Sequence, residues 1–422
     1  MTPNPKRPKL LPAALTIFLS AALAPTSPAE NWPQYLGPNR NGIVTEKNLA
    51  QSWPEAGPKE LWRIKEGTGF SSPVAADGKL YSFSLVEGNE VLQALDAKTG
   101  KPLWKQQAPA GYSGQYSGAR SSPVIDGQRI YTYGAGGDLI ARNLADGAPV
   151  WTLAVLKETG GQVKEWGNAS NPLIDGDMIY VQARAGGNAA VCVDKNTGKI
   201  VWKSEAKGGG YATPVLADVA GSKQLLCFAE KHLIGVDPKT GKTLWDLDEE
   251  WETQQGVNAT MPIVQGNQVF VTCGYRNAHC GLYELSATGI KNLWKGKQLC
   301  SAFQASILDN GYLYGNNAGV LTCVKWDDGK VQWPTKKPTA ADKRFLGIGG
   351  SVVRFGGDKL ICLSDNGTLS LVKATPEKLD KLTSLKRFVE GDQLWATPLI
   401  YDGKLYVKSK DELIAYDVSS RQ

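Results

Sequence analysis

Short runs of alternating apolar and polar residues recur eight times along the 422-residue chain. Each copy begins after a small residue, usually followed by proline, and crosses an Asp-Gly or similar turn. It then ends in Gly-Lys shortly before a tryptophan. The clearest copy contains Ser72-Pro73, Asp77-Gly78, Gly100-Lys101 and Trp104. Period-two alternation between such turns is typical of short antiparallel strands, since Gly, Asn and Asp accept the positive φ of tight hairpins.

The spacing of the copies predicts the architecture. Their first strands begin 42 to 50 residues apart, at Pro73, Pro123, Pro172, Pro214, Pro262, Ser306, Val352 and Pro398. A repeat of this length predicts an all-β ring of sheets, a β-propeller. We expect eight four-stranded antiparallel blades, with seven as the alternative. Sustained helical periodicity is absent, and residues 379–385 are the only place where we allow a brief turn of helix.

Tryptophan closes the first six copies, and the two ends of the chain complement each other. These tryptophans are Trp104, Trp151, Trp202, Trp245, Trp294 and Trp333, and Phe388 is our candidate substitute in the seventh copy. The eighth copy stops near Asp417 without a fourth strand, whereas residues 60–64 form an unused strand pattern before the first copy. We predict that this N-terminal strand pairs in the last blade and closes the ring, because closure removes exposed sheet edges.

Three segments resemble the tryptophan-docking repeat of the pyrroloquinoline quinone (PQQ) β-propellers. They are residues 94–104, 193–202 and 236–245, each with an Asp, a Gly-Lys turn and a final tryptophan. The resemblance covers nearly the whole chain beyond residue 30. It implies that each tryptophan wedges between neighbouring blades. Residues 31–42 resemble the lead-in of exported proteins with these repeats, which implies a loop that caps the ring or partly closes its channel.

The first residues have the pattern of a secretory signal. Three basic residues precede an apolar run over residues 10–24, and Ser27-Pro28-Ala29 supplies small residues for cleavage near Ala29. We therefore divide the chain into a signal peptide (1–29), a lead-in loop (30–58) and one propeller domain (59–422). The mature protein is expected in the periplasm or outside the cell. No cysteine follows the apolar run, so the sequence does not support a lipid anchor.

The charge and the histidine content limit the classes of partner and metal site that the sequence supports. Removing the three basic residues of the signal lowers the formal charge from +6 to +3, and long basic runs are absent, so we expect no nucleic-acid binding. We also expect a monomer with no membrane span. With two histidines in the chain, a zinc site or a catalytic triad is not expected, and we assign no metal ligands.

The seven cysteines fall into two groups and one outlier. Four lie in apolar strand patterns and are expected to be buried thiols: Cys192, Cys227, Cys323 and Cys362. Cys273 and Cys280 flank a short loop, where a disulfide would suit an oxidising compartment. Cys300 has no assigned place.

Candidate ligand contacts lie in the segments just before each innermost strand, here called the channel loops. They are residues 67–70, 115–120, 165–168, 208–211, 254–258, 301–304, 347–350 and 393–395. Most combine an aromatic residue with Gly, Asn or Gln. The candidates are Phe70, Tyr116, Arg120, Trp166, Asn168, Tyr211, Asn258, Phe303, Gln304 and Trp395. Trp166 and Trp395 offer stacking surfaces, and Arg120 is the one strong cation. Alternatively, the glycines only permit crowding at the axis and the aromatics cap the core.

Three functions are open at this point. The resemblance implies PQQ with calcium in catalytic members, but those enzymes use a vicinal cysteine pair and an acid cluster that are absent here. Near the channel loops the acids are Glu165, Glu252 and Asp392, and their spacing selects none as a general base. We favour an exported, non-catalytic scaffold that binds an envelope protein, a glycan or a small ligand. The alternatives are a PQQ-dependent dehydrogenase for an alcohol or sugar and a polysaccharide-binding module.

Overall fold

The structure, a computed structural model, describes Met1 and residues 30–163, 165–184, 186–247, 251, 256–275 and 277–420. Apart from Met1, the predicted signal peptide lies outside the described residues, as does Glu252. The described residues form eight separate sheets. The prediction of an all-β, eight-bladed propeller is therefore confirmed, and the seven-bladed alternative is wrong.

The strands follow one another in chain order. Those up to the end of blade 4 are β1 (Ile43–Val44), β2 (Lys59–Lys65), β3 (Val74–Ala76), β4 (Lys79–Val86), β5 (Asn89–Asp96), β6 (Pro102–Pro109), β7 (Val124–Asp126), β8 (Arg129–Tyr133), β9 (Asp138–Asn143), β10 (Pro149–Ala154), β11 (Leu173–Asp175), β12 (Met178–Val181), β13 (Val191–Asp194), β14 (Ile200–Lys203), β15 (Val215–Val219), β16 (Ser222–Phe228), β17 (Leu233–Val236) and β18 (Thr243–Leu247). Those of blades 5 to 8 are β19 (Ile263–Gln265), β20 (Gln268–Cys273), β21 (His279–Leu285), β22 (Ile290–Gly296), β23 (Ile307–Asp309), β24 (Tyr312–Asn317), β25 (Val320–Lys325), β26 (Val331–Trp333), β27 (Ser351–Phe355), β28 (Lys359–Leu363), β29 (Leu369–Ala374), β30 (Leu379–Leu385), β31 (Leu399–Tyr401), β32 (Lys404–Lys408) and β33 (Glu412–Asp417).

Each blade is an antiparallel meander of four strands, and the last blade joins both ends of the chain. Blades 1 to 7 each take four consecutive strands, from β3–β6 to β27–β30. Blade 8 consists of β31, β32 and β33 with β2 as its outer strand. The antiparallel β2–β33 ladder runs from Lys59 opposite Asp417 to Lys65 opposite Glu412. The predicted closure of the ring by the N-terminal strand is confirmed.

Trp104 in β6 shows the contact that joins neighbouring blades. Its Nε1 donates a hydrogen bond to the carbonyl oxygen of Leu144 in blade 2, at 3.2 Å. Its ring covers Gly147, where a Cβ would lie 2.5 Å from the indole, so a side chain does not fit there. The same contact joins four further pairs of blades: Trp62 to Ala97 and Gly100, Trp151 to Lys195 and Gly198, Trp202 to Pro238 and Gly241, and Trp294 to Trp326 and Gly329.

Within the blade, each of these rings packs on an aromatic residue of the second strand. Ring centroids are 5.7 to 6.0 Å apart and the planes are tilted, as aromatic pairs prefer. The pairs are Trp104–Tyr81, Trp151–Tyr131, Trp202–Tyr180, Trp294–Phe270, Trp333–Tyr314 and Trp62–Tyr406. The repeat therefore places one aromatic pair at the outer edge of six blades.

Two blades modify this contact. Trp245 donates to Oε1 of Gln224 at 2.8 Å, and the amide of Gln224 donates to the carbonyl oxygen of Ser286 in blade 5 at 2.8 Å. The side-chain amide of Gln224 therefore links Trp245 to blade 5, whereas in the other blades that carry this tryptophan the indole bonds directly to a backbone carbonyl of the next blade. In blade 7, Phe388 lies beyond β30 and packs 5.1 Å from Tyr416 of blade 8.

The helices are not where the sequence suggested. Residues 379–385, where we allowed a helical turn, form the outer strand β30, because they pair antiparallel with β29 from Leu369 to Ala374. Within the described part of the chain, two short helices lie elsewhere: α1 (Val155–Thr159) and α2 (Ala340–Lys343). Helix α2 begins with a capping box formed by Thr339 and Asp342. No helix within the described residues has the length and apolar character needed to cross a membrane.

The lead-in lies across one end of the central channel. Strand β1 pairs in parallel with β27, with Ile43 opposite Arg354, and makes blade 7 five-stranded. Trp32 forms a β-bridge with Ala75 in β3, and Leu36 packs in the cluster that also contains core residues of blades 4 and 5. These contacts all lie toward the ends of the innermost strands opposite the channel loops. The lead-in therefore both caps the ring and closes that end of its channel.

The cysteines confirm one prediction and correct another. Cys192, Cys227, Cys323 and Cys362 are buried free thiols, as predicted. In the β20–β21 ladder, Cys273 lies opposite His279, whereas Cys280 lies opposite Thr272. Residues directly opposite share a face and successive residues alternate between faces. Cys273 and Cys280 therefore lie on opposite faces of the sheet, and the structure is against a disulfide between them.

A buried ion pair lies at the seam where blades 8 and 1 meet. Lys408 in β32 contacts the carboxylate of Glu66, and their side chains are 1% and 0% exposed. Glu66 also accepts hydrogen bonds from Ser82 and from Gln93 in blade 1. The pair and its partners therefore connect the closing strand to both neighbouring blades.

We expect Lys408→Met to lower the free energy of unfolding by about 3–5 kcal/mol, because it leaves the Glu66 carboxylate buried without its cation. Urea unfolding followed by tryptophan fluorescence measures the change. Lys223→Met is the matched control, since it breaks the exposed ion pair with Asp175, which spans 2.7 Å, and should cost less than about 1 kcal/mol. Equal losses in the two variants would contradict the importance of the buried pair.

Candidate functional site

A cavity of about 450 Å³ opens where the channel loops meet. All eight blades contribute to its wall, and Tyr35 of the lead-in contributes from the closed end of the channel. Eight of the lining residues are aromatic: Tyr35, Phe70, Tyr116, Trp166, Tyr211, Tyr275, Phe303 and Trp395. The ring of blades thus turns residues far apart in the sequence into one aromatic site.

Eight of the ten candidate residues lie in this wall: Phe70, Tyr116, Arg120, Trp166, Tyr211, Phe303, Gln304 and Trp395. Asn168 and Asn258 do not. Both are fully buried behind it, and their amides donate to backbone carbonyls, Asn168 to Gly134 at 3.3 Å and Asn258 to Ala229 at 2.9 Å. These two asparagines connect neighbouring loops rather than face the cavity, which corrects their predicted position.

Several lining residues escaped the sequence analysis. Tyr35 comes from the lead-in, and Tyr275 follows β20 instead of preceding an innermost strand. Neither position belongs to the channel loops, so the repeat gives no signal for them. The small polar residues before the innermost strands also line the cavity: Ser72, Ser122, Asn171 and Thr213. Their recurrence just before proline was the available signal.

Those small polar residues form a hydrogen-bonded belt around the channel. The amide of Ser72 donates to Oγ of Ser122 at 3.1 Å, and the amide of Ser122 donates to Oδ1 of Asn171 at 2.5 Å. The backbone amide of Asn171 donates to Oγ1 of Thr213, and the backbone amide of Thr397 donates to Oγ of Ser72. Each blade thus donates from its backbone to a side chain of the next, from blade 8 round to blade 4.

Trp395 is the centre of the aromatic wall. Its ring centroid lies 4.9 Å from Phe70, 5.2 Å from Tyr116 and 5.1 Å from Phe303. A Cβ on Gly349 would lie 2.1 Å from the indole, so this glycine lets blade 7 approach the ring. The indole Nε1 is buried, and no described residue accepts its hydrogen bond.

Tyr116 spans the mouth of the cavity. It contacts Trp166 at 5.5 Å on one side and Trp395 on the other, and it is 40% exposed. Its backbone adopts a left-handed conformation, with φ of 53°, which is uncommon for a residue with a side chain. The loop geometry, rather than local preference, therefore holds this ring over the opening.

Arg120 holds the loop that carries Tyr116. Its guanidinium donates to the carbonyl oxygens of Gln115, Tyr116 and Gly118 and lies 4.9 Å from the ring centre of Tyr112. Burial lowers the pKa of Arg120. No carboxylate within the described residues forms a salt bridge with it. Its charge therefore faces the cavity without a neutralising acid in the wall.

Burial also changes the ionisation of groups around the cavity. It raises the pKa of Tyr275 to about 12, and it raises the pKa of Tyr211, whose ring lies against the guanidinium of Arg184 at 3.3 Å. Both hydroxyls are therefore neutral at pH 7. Behind Arg120, burial raises the pKa of Glu90 to about 7, although the amide of Ala135 donates a 2.7 Å hydrogen bond to its carboxyl group.

The cavity does not fit a PQQ–calcium pair. Calcium takes about six to eight oxygen ligands, with carboxylates prominent among them, yet none of the described residues that line the cavity is Asp or Glu. Glu165 and Asp392 are exposed and lie outside the wall. Among the residues that the structure describes, no cluster of three His, Cys, Asp or Glu side chains could hold a metal ion. The donor set is aromatic and amide-rich instead.

Known proteins resemble this chain in sequence. The family model of the outer membrane protein assembly factor BamB matches residues 39–167 and 123–335. BamB of Alkalilimnicola ehrlichii is 30% identical over 162 residues, which span 37% of this chain and 39% of that protein. BamB of Moranella endobia is 23% identical over 82% of this chain and 90% of its own. A polyvinylalcohol dehydrogenase of Sphingopyxis sp. is 29% identical over 28% of this chain and 21% of that protein.

Solved structures share the fold. BamB of Moraxella catarrhalis has a TM-score of 0.61 at 12% identity, covering 85% of this chain and 99% of its own. The quinohemoprotein alcohol dehydrogenase of Comamonas testosteroni has a TM-score of 0.67 at 12% identity, covering 93% of this chain and 81% of its own. At this identity the likeness establishes the propeller and nothing about its chemistry.

We expect the contribution of Glu90 to the stability of the protein to fall as the pH rises from about 4.5 to about 7. The folded state raises the pKa of Glu90 from 4.5 to about 7, so it binds the proton more tightly than the unfolded chain does. Glu90→Gln retains an acceptor for Ala135 but does not titrate. It should match the wild type at pH 4.5 and be more stable by up to roughly 3 kcal/mol at pH 8.

Urea unfolding at both pH values tests this expectation. Other buried acids titrate in both proteins, so only the difference between the two pH profiles reports on Glu90. Parallel profiles for the wild type and the Gln variant would contradict the raised pKa.

Proposed function

The chain belongs to the PQQ-repeat family of the outer membrane protein assembly factor BamB, and we propose that it acts in the cell envelope as a non-catalytic scaffold. Four relatives of this chain carry that name. The proposal gives this propeller a protein partner that takes part in assembling outer-membrane proteins. It places the mature chain in the periplasm, after removal of residues 1–29.

The observation that carries the proposal is the wall of the channel cavity. A dehydrogenase needs a carboxylate or another base within hydrogen-bond reach of its substrate. The described wall offers aromatic rings, amides and one arginine whose donors are engaged by its own loop. Such a set suits binding better than proton abstraction.

We expect deletion of the gene in the source bacterium to lower the amounts of β-barrel proteins in its outer membrane, measured by quantitative proteomics of the membrane fraction. The full chain should restore them. A chain without residues 2–29 is the matched control and should fail, because the scaffold would remain inside the cell. Unchanged outer-membrane proteins in the deletion strain would contradict the proposed role.

A PQQ-dependent dehydrogenase is the second candidate, favoured by the likeness to a polyvinylalcohol dehydrogenase. Titrating the purified protein with PQQ, with and without calcium, separates the two functions. We expect neither saturable binding by absorbance nor dye reduction with alcohols or sugars, because the wall lacks acids for the metal. Turnover that requires both PQQ and calcium would overturn the scaffold proposal in favour of the enzyme.

A further inference from the structure

We propose that the cavity at the channel mouth binds a pyranose sugar at the end of a polysaccharide or oligosaccharide chain. The proposal is independent of the scaffold role, since a protein partner could use other faces of the propeller. It rests on three properties of the cavity: flat aromatic surfaces, neutral polar groups held in fixed positions, and the sign of the charge in the wall.

The aromatic surfaces suit a sugar ring. Tyr116 bridges Trp166 and Trp395 at the opening, at 5.5 and 5.2 Å. A pyranose has flat C–H faces that pack on such rings, while its hydroxyl groups project sideways. The cavity volume of about 450 Å³ falls within the range of about 300–1,000 Å³ typical of small-molecule sites.

Polar groups lie among these rings, which an exclusively apolar ligand would leave without partners. Tyr275 contributes a hydroxyl to the wall that is neutral at pH 7, and Tyr211 contributes a second one beside the guanidinium of Arg184. A ligand that carries several hydroxyl groups can accept from such donors while it stacks on the rings.

These groups are also held in place before any ligand arrives. The side-chain Nε2 of Gln304 donates to the carbonyl oxygen of Trp395 at 2.6 Å, and its Oε1 accepts from the hydroxyl of Thr397 at 3.0 Å. Arg120 clamps the loop of Tyr116 through three carbonyl oxygens. Binding therefore costs little further ordering of the wall, a condition that favours affinity.

The charge of the wall excludes one class of ligand. Aromatic cages that bind ammonium groups gain from cation–π contacts, but here Arg120 lies in the wall, and the lining residues that the structure describes include no acid. A cationic ligand would be repelled. Neutral sugars and uronic acids share the pyranose ring and are both admitted, and uronic acids gain attraction to the guanidinium.

Isothermal titration of the mature protein, residues 30–422, tests the proposal with two panels of oligosaccharides. One panel is neutral (glucan, xylan and chitin fragments) and the other contains uronic acids (pectin and alginate fragments). We expect at least one panel to bind with a Kd below about 1 mM. Tyr116→Ala should weaken that binding roughly tenfold or more, because it removes the ring that spans the opening.

Tyr116→Phe and Val201→Ala are the matched variants. The first keeps the stacking ring and should retain most of the affinity. The second removes an apolar side chain that is 51% exposed on the outer strand of blade 3 and should leave binding unchanged. Circular dichroism verifies that all variants are folded. Absence of binding in both panels, or equal binding by the Tyr116→Ala and Val201→Ala variants, would overturn the proposal. Binding of an aromatic or proline-rich peptide in place of the sugars would do the same.

A second inference concerns Cys280 in blade 5 and Cys300 in the segment that follows the outer strand of that blade. Cys280 in β21 lies opposite Thr272. The hydroxyl of Thr272 donates to the carbonyl oxygen of Leu299 at 2.6 Å and accepts from the amide of Ser301 at 3.1 Å. These bonds hold Cys300, which lies between Leu299 and Ser301, beside the strand and next to the residue that pairs with Cys280.

From this arrangement we infer that Cys280 and Cys300 form a disulfide in an oxidising compartment, which rests on the proposed envelope location. The two thiols release two protons and two electrons to the disulfide of a dithiol oxidant, which becomes reduced. Cys280 and Cys300 are 0% and 5% exposed, so the reaction belongs to folding rather than to the finished protein.

Refolding the purified chain in oxidised glutathione, followed by alkylation and peptide mass mapping, tests the pair. We expect a Cys280–Cys300 linkage and five alkylated thiols out of seven. Cys192→Ser, which removes a buried thiol of blade 3, should keep the linkage, whereas Cys300→Ser should abolish it. Seven alkylated thiols, or a linkage through Cys273, would overturn the inference. A linkage in the refolded protein that is missing from protein taken from cells would count against the envelope location alone.

Discussion

The contact on which this structure depends is an indole that lies on a glycine turn of the next blade. The ring covers the turn while its N–H reaches a backbone carbonyl, as Trp104 does with Gly147 and Leu144. Neither blade can provide this contact alone. The glycine must have no side chain, and the tryptophan must lie in the outer strand of its own sheet. Repetition of this contact, complete at five of the eight interfaces, helps to set the angle between neighbouring blades as the ring closes.

The channel mouth inherits its shape from that ring. Each blade delivers one loop to the axis, where the loops crowd against one another and glycines such as Gly349 make room. The belt through Ser72, Ser122 and Asn171 then fixes the loops by hydrogen bonds from blade to blade. The packing interpretation of the channel loops holds for two of the candidate residues, and ligand binding by the others stays a prediction. Asn168 and Asn258 serve packing, whereas the aromatic residues form a wall with an open cavity in front of it.

Local patterns were sufficient to predict the repeated part of the fold. Blade number and ring closure by the N-terminal strand follow from the spacing of turns and from the unmatched strand at each end of the chain. Features that depend on the assembled ring could not be obtained that way. Strand β30 lacks the tryptophan that marks the other outer strands, and β1 is too short to give a period. Tyr35 and Tyr275 reach the cavity from outside the channel loops. The sequence pattern also gave no indication of the arrangement of Cys280 and Cys300.

The position of the lead-in makes the cavity a dead end. With β1 paired to β27 and Tyr35 contributing to the wall from that side, a molecule that enters between the loops must leave by the same opening. A polymer therefore cannot be threaded through the propeller, and only a chain terminus or a projecting side group can be held. The architecture thus favours recognition of the end of a polymer over sliding along its length, whatever the chemistry of the occupant.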